Sequence, residues 1–379
     1  MKVEQKIWTQ EMGWDSKFSD QIDDKAQLVL VFAGTNILKS QSVPIEDLKS
    51  HYPKAVLTGC STSGEIYGTQ VYDDTLTATI IQFEDTTIET VYEDFSESEE
   101  SLIVGERLGQ SLEKENLKHV FLLSDGLGIN GSELVTGITK SLPQYVTVTG
   151  GLSGDGDRFQ ETYVFIDGES RKNVVAAVGF YGERLEIGYG SLGGWDPFGP
   201  ERLITRSHGN VLFELDGKPA LELYKQYLGE HAKDLPSTGL LFPLSIRTEE
   251  NTSLVRTILA VNEEDQSMTF AGNIPEGSYA KLMKANFDRL VDGAADAAKT
   301  SCTSLQSGSP DLAILISCVG RKLILKQRVE EEVESVRGVL GDKAVLTGFY
   351  SYGEISPFSQ GNKCELHNQT MTITTLSEH

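Results

Sequence analysis

Positive charge is scarce in this 379-residue chain: 33 Lys and Arg stand against 56 Asp and Glu, for a net charge of −23. A surface of that sign repels a polyanion, which excludes nucleic acid as the expected partner. Cysteine is scarce as well. Cys60, Cys302, Cys318 and Cys364 lie far apart with no CxxC pair, which predicts free thiols in a reducing cytoplasm rather than a disulfide frame. Long apolar runs are missing: the longest, such as Leu28 to Ala33, have strand length, and residues 1–8 hold no apolar signal core. Neither membrane insertion nor export is therefore expected. Signatures of catalysis are missing too, with no GxSxG elbow, no HExxH and no GxxxxGK[ST] loop. Ser63 and Cys60 have no histidine near them in sequence, so the expectation is a protein that is not an enzyme, with acyl transfer as an alternative.

Apolar residues are present in quantity. They make up 39% of the chain, with 15 Phe and 13 Tyr, enough for two folded lobes. Leu28–Gly34 is a continuous apolar run closed by glycine, the pattern of a strand buried on both faces. A helix over Ile45–His51, a strand at Lys54–Thr58 and a strand at Leu76–Phe83 follow it. The order recurs in Val120–Gly126, helix Ser132–Leu142, Tyr145–Thr149 and Val174–Phe180. It recurs again in Leu312–Cys318, helix Lys326–Leu340, Ala344–Thr347 and Met371–Thr375. From the glycine after the first strand to the Thr of a Thr-Gly pair, the distances are 24 (34 to 58), 23 (126 to 149) and 27 (320 to 347). Repeated spacing of this kind predicts an α/β protein of two lobes built from repeated strand-helix-strand-strand units with mixed sheets. Between the second and third units, the Gly/Pro-rich passage Gly188–Pro200 reads as a linker. Beyond it come a strand turning at Asp216–Gly217, a helix Ala220–Leu228, a hairpin of Leu254–Val261 with Ser267–Ala271, and a long helix Ser278–Lys299.

The Thr-Gly pairs carry the candidate chemistry. Each is followed, four residues after the Thr, by a hydroxyl: Thr62, Ser153 and Ser351. Strand ends that dissolve into small polar residues are where α/β folds keep their sites. Ser61, Thr62, Ser63, Glu65, Ser153, Asp155, Tyr350, Ser351, Tyr352 and Glu354, with Arg321 after a neighbouring strand, form the candidate ligand-binding set. Glu65 or Glu354 suits an ammonium group, Arg321 and loop amides a carboxylate. A purely architectural reading stands beside this one, since three copies can repeat for fold reasons alone. Gly126-Leu-Gly-Ile-Asn-Gly131 matches the dinucleotide fingerprint after a strand and before a helix, which keeps a nucleotide-dependent enzyme among the alternatives. The equivalent turns after Phe32 and Cys318 lack those glycines, and no acidic residue ends a strand about twenty positions on, so a tight turn is the plainer reading.

On Thr58–Glu65, Gly209–Leu221, Ser317–Arg321, Gly348–Pro357 and His367-Asn-Gln-Thr-Met371, the chain resembles the FIST family, with both its N-terminal and C-terminal domains. The resemblance runs from about residue 27 to the C-terminus and sets the expected divisions: an N-terminal segment 1–26, a FIST N-terminal domain 27–194 and a FIST C-terminal domain 195–379. It implies a cytoplasmic sensor of small ligands such as amino acids, in a family often fused to kinases, chemoreceptors or cyclic-di-GMP enzymes. The chain carries no output domain, so the resemblance implies a separate signalling partner such as a histidine kinase. It then extends to the subgroup that binds haem and senses nitric oxide, with amino-acid sensing without haem as the alternative. Haem needs an axial donor. His51, His119 and His379 read as surface residues, which leaves His208 and His367 as axial candidates. Cys364 and His367 are three apart on an extended segment and point to opposite faces, so no other metal site is expected. Oligomeric state is not legible.

Overall fold

The computed structural model describes residues 1–18, 22, 25–39, 43–96, 99–247, 253–305, 308–358 and 361–378. Three copies of one unit are arranged around a shared core. In each, a lead strand (Leu28–Ala33, Leu117–Ser124, Leu312–Cys318) has a second strand parallel on one side (Val56–Ser61, Thr147–Leu152, Val345–Ser351). A return strand lies antiparallel on the other side (Leu76–Gln82, Val174–Tyr181, Met371–Glu378). Each return strand takes one further neighbour: Lys2–Thr9, Thr87–Asp94 and Leu185–Leu192. The chain is α/β with mixed sheets, as the repeated runs predict. Lys2–Thr9 gives the N-terminal segment its place beside unit 1.

The units interlock by exchanging hairpins. The hairpin between second and return strands leaves its own unit and extends the sheet of another. Glu65–Tyr67 with Gln70–Tyr72 joins unit 3, Gly353–Pro357 with Cys364–His367 joins unit 2, and Val164–Ile166 with Glu169–Arg171 joins unit 1. The ring of exchanges closes. Apolar residues on the inner faces, among them Phe32, Phe121, Ile316 and Phe349, pack into one core shared by all three sheets. Helices cover the outer faces over separate apolar layers.

The Thr-Gly pair has a packing cause. A Cβ on Gly59, Gly150 or Gly348 would lie 1.6, 1.8 and 1.8 Å from the carbonyl oxygens of Val31, Leu122 and Leu315 on the parallel neighbour. Only glycine fits where these strands approach so closely. The pair therefore recurs because the sheet geometry recurs.

An inserted lobe spans Arg202–Lys284. Its sheet runs from Ser253–Arg256 round to Ile258–Asn262, which are one strand bent at Thr257, so it curls on itself around its own core. Helix Ala220–Leu228 and the turn at Asp216–Gly217 fall where the sequence puts them. Two expectations are corrected here. Ser278–Lys299 is not one helix: Tyr279–Lys284 is a strand with Ala280 and Leu282 buried on one face, and the helix is Phe287–Cys302, capped by Asn286. The alternation of two was masked by the Ala-rich stretch behind it. In the expected linker, Gly188–Leu192 complete the strand that pairs with unit 3. Gly188 and Gly190 are needed there because Cβ atoms would strike the Ser301 and Ala297 carbonyls of the covering helix. Among the described residues no helix is long and apolar enough to cross a membrane.

Candidate functional site

The lead and second strands of all three units end on the same face of the core, and the three Thr-Gly loops meet there. Ser63 N donates to Tyr350 O at 2.8 Å and Tyr350 N to Gly64 O at 2.9 Å, joining loops 1 and 3. Gly154 N donates to Ser61 O at 2.9 Å and Gly156 N to Ser63 Oγ at 3.1 Å, joining loops 1 and 2. Asp155 N donates to Tyr352 Oη at 3.2 Å, joining loops 2 and 3. The sequence-predicted residues are thus brought together.

They are also buried, and their polar atoms are committed to the fold. Glu65 accepts from the Thr62 hydroxyl through Oε1, and from Thr75 N (3.0 Å) and Thr75 Oγ1 (2.8 Å) through Oε2. Glu354 repeats the arrangement with Ser351 Oγ (3.0 Å), Thr370 N (3.1 Å) and Thr370 Oγ1 (2.8 Å). Each carboxyl bridges the two ends of its exchanged hairpin. Burial pushes Glu65 up to about 7 and Glu354 up to about 8, against the pull of the donors. Unit 2 differs: Val164 holds the matching strand position, and Asp155 accepts from the backbone N–H groups of Phe159, Gln160 and Glu161 and from the Tyr352 hydroxyl.

Arg321, expected to hold a ligand carboxylate, is buried and paired with a carboxylate of the chain. Nε and Nη2 donate to Glu332 Oε2 at 3.0 and 2.7 Å, Nη1 to Gly193 O at 2.5 Å, and Nη2 to Leu290 O at 2.7 Å. Tyr350 Oη and Ser317 Oγ complete the shell of Glu332. Ser61 Oγ accepts from Tyr163 N, and Ser153 Oγ donates to Ser124 O. These residues build the face rather than line an open pocket. In the Gly126–Gly131 loop, Leu127 N and Gly128 N donate to Asp125 Oδ1 at 2.9 and 2.8 Å, and Ser132 N and Glu133 N to Asn130 Oδ1, so these amides are already taken by side chains of the chain.

Neither histidine fits haem. His208 is exposed beside the turn that joins Arg202–His208 to Val211–Leu215, without apolar walls. His367 is 1% exposed, donates through Nε2 to Ser356 O at 2.7 Å and meets the Phe358 ring edge-on, and burial holds it down to about 4. Seating a porphyrin there requires opening the Gly353–His367 hairpin. His119 is a correction of another kind: it is buried between Thr147 Oγ1 (2.7 Å) and Thr149 Oγ1 (2.9 Å), and burial lowers it to about 3. His51 is exposed, and His379 lies outside the described residues. Among the described residues, no group of three or more His, Cys, Asp or Glu could hold a metal ion.

What varies between the units is the corner just before each return strand. Asp74, Asn173 and Gln369 occupy it, all with positive φ (53°, 53° and 62°). Asp73 and Asp74 are exposed, and Lys322 reaches over from unit 3 to bond Asp73 and Ser63 O. Asn368 and Gln369 are 1% and 0% exposed; Trp195 donates to Gln369 O, and the inserted lobe bonds close by through Arg256 to Leu366 O. Both ends of both carboxamides lack a hydrogen-bond partner. The motif His367–Met371 marked this place in the sequence, but nothing there says that a lobe from elsewhere would cover it. A shallow groove of about 390 Å3 at the opposite end of the core is lined by Lys118, Tyr145, Thr147, Leu185, Ile187 and Tyr189.

Comparison with known proteins places these elements. Residues 27–218 match the FIST N domain and residues 220–357 the FIST C domain. An uncharacterised protein of Methanocaldococcus jannaschii is 23% identical over 341 residues, covering 82% of this chain and 64% of its own length, so this chain spans under two thirds of that relative. An uncharacterised protein of Mycobacterium tuberculosis strain H37Rv is 24% identical over 334 residues, covering 84% and 83%. Among solved structures, a cyanuric acid hydrolase from A. caulinodans aligns over 94% of this chain and 90% of its own at 8% identity, with a TM-score of 0.36. A likeness that low carries no inference about activity.

Proposed function

From the premise that the chain belongs to the FIST family, whose domains are sensor domains of signal transduction, we propose that it binds a small ligand other than haem on the face where the three loops meet. The bound state is read by a separate signalling protein, a histidine kinase or a cyclic-di-GMP enzyme being the kind the resemblance implies. The observation that carries this reading is the asymmetry of that face. Three near-equivalent corners share one rigid core, and a separately cored lobe is seated on one of them. A ligand that favours the seated position shifts the lobe's equilibrium, which is the minimum a sensor needs.

An amino acid stays within this reading, but its contacts come from groups other than Glu65, Glu354 and Arg321, which are buried and bonded within the chain. A binding role is favoured over catalysis by the surroundings of the two possible nucleophiles. Burial raises the Cys60 thiol far above its usual range, and the polar groups acting on it are Ser153 and Glu65. Ser63 Oγ bonds the Gly156 backbone.

Thermal shift of the full chain against the twenty amino acids and a panel of neutral and anionic metabolites tests the proposal. A true ligand gives a saturable rise, about 2.7 kcal/mol at a hundred times its Kd. Added haem should give no stoichiometric Soret band. No stabilisation by any small molecule, or a stoichiometric haem complex, defeats the reading.

A further inference from the structure

The structure assigns a second level of detail to that face: we propose that the roofed corner of unit 3 is an enclosed site for a small uncharged molecule presenting an amide-type edge, N–H beside C=O. The inference rests on the sensor reading above and names its site and ligand class.

Asn368 and Gln369 are adjacent, essentially fully buried, and together present two carbonyl oxygens and two NH2 groups with no partner in the chain. Native interiors pair such groups, so four unpaired polar atoms on two adjacent buried residues mark a place where something else supplies the bonds. The backbone around them is fixed. Gln369 O accepts from Trp195 Nε1 at 2.8 Å, Thr370 N is held by Glu354, and Thr370 O accepts from Cys318 N at 3.1 Å. Gly320 admits the side chain: a Cβ there would lie 2.5 Å from Gln369 Nε2.

The charged side chains that hold this end of the core are each bonded within the chain. Arg321 is bonded to Glu332 and two carbonyls, Glu354 to Ser351 and Thr370, and Arg256 to Asn273 O (3.2 Å) and Leu366 O (2.8 Å). What remains free is an alternation of donors and acceptors, which an amide edge matches and a lone carboxylate or ammonium does not. Trp195, which bonds Gln369 O, packs in an apolar cluster with Leu241 and Val255 that suits the rest of such a molecule.

Access is through the inserted lobe. It rests on the core through Arg256 to Leu366 and through Asn273 to Asn130 Nδ2 (2.8 Å), and it leaves the core at Gly193–Gly194. Lifting it opens the corner, and an occupant bonded to Asn368 and Gln369 holds it down.

The test uses acetamide, nicotinamide and uracil as probes, with acetate and methylammonium as charged controls, by thermal shift and calorimetry on the full chain. At least one amide-type probe should bind saturably and the charged controls should not. Gln369→Glu, which keeps the shape and changes donors to acceptors, should lose at least tenfold in affinity, and Asn368→Leu should abolish binding. Circular dichroism of each variant confirms the fold. A probe that binds wild type and both variants equally overturns this placement while leaving the sensor reading intact. If no probe binds and Asn368→Leu raises the melting temperature, the corner holds water only and the proposal is wrong. If nothing small binds anywhere on the panel, both readings fall together.

Discussion

Units 1 and 3 place the same clamp under two different lids. Glu65 and Glu354 hold hairpin ends with the same three kinds of donor, a hydroxyl, a backbone N–H and a threonine Oγ1. Above Glu65 the corner is open and carries Asp73 and Asp74; above Glu354 it is buried behind Trp195 and carries two unpaired carboxamides. The clamp belongs to the fold, because it is kept where the lid changes. What distinguishes the corners is therefore the better guide to function, and it lies in residues 73–74 and 368–369.

The equivalence of the units breaks most severely if the glycine of the Thr-Gly pair is not architectural. Gly59→Ala and Gly348→Ala should each cost about 4 kcal/mol or more, since the new methyl overlaps a strand carbonyl that cannot move aside without losing the ladder. Denaturant unfolding measures this, and a variant of near wild-type stability would remove the packing explanation for the motif.

The clamps make a second, smaller prediction. The ordinary carboxyl value is 4.5, and burial raises Glu65 to about 7 and Glu354 to about 8. The folded state then holds these protons more tightly than the unfolded one. Their contribution is full below pH 4.5 and is lost as pH rises through 7 and 8. Glu65→Gln and Glu354→Gln remove that loss, so the variants should gain on wild type by roughly 3 and roughly 4 kcal/mol respectively between pH 4.5 and 8.5, at about 1.4 kcal/mol per unit. A constant offset across that range would show that the carboxyls are ionised throughout. The smallest effect separates the two corners most finely. Thr75→Val and Thr370→Val each delete one hydroxyl donor at about 1 to 2 kcal/mol. Equal costs, read from unfolding midpoints, sharpen the equivalence of the clamps; a much larger cost at Thr370 shows that the roof over unit 3 depends on its clamp.

Much of this architecture was legible before any coordinates. Lead strands such as Leu312–Cys318, the repeat spacing and helix Ala220–Leu228 follow from apolar runs and glycines acting over a few residues. The strand at Tyr279–Lys284 was hidden because five or six residues of alternation are a weak signal beside a strong helix pattern. The Thr-Gly loops stand out in the sequence as repeated strand ends, and their polar groups read equally well there as ligand contacts or as architecture. Which reading holds depends on the partner across the gap: Thr75 ten residues from Glu65, Thr370 sixteen from Glu354, Glu332 eleven from Arg321.

By itself, then, the sequence determined the unit: strand lengths, turns, and glycines wherever the backbone has no room for a side chain. Only the tertiary structure decided which hairpin extends which sheet, that Arg321 is bonded to Glu332 and two backbone carbonyls, and that Asn368 and Gln369 are buried. Backbone conformation and burial periodicity are encoded by neighbours along the chain. Saturation of a polar group depends on residues brought together from up to about three hundred positions away, which no local pattern carries.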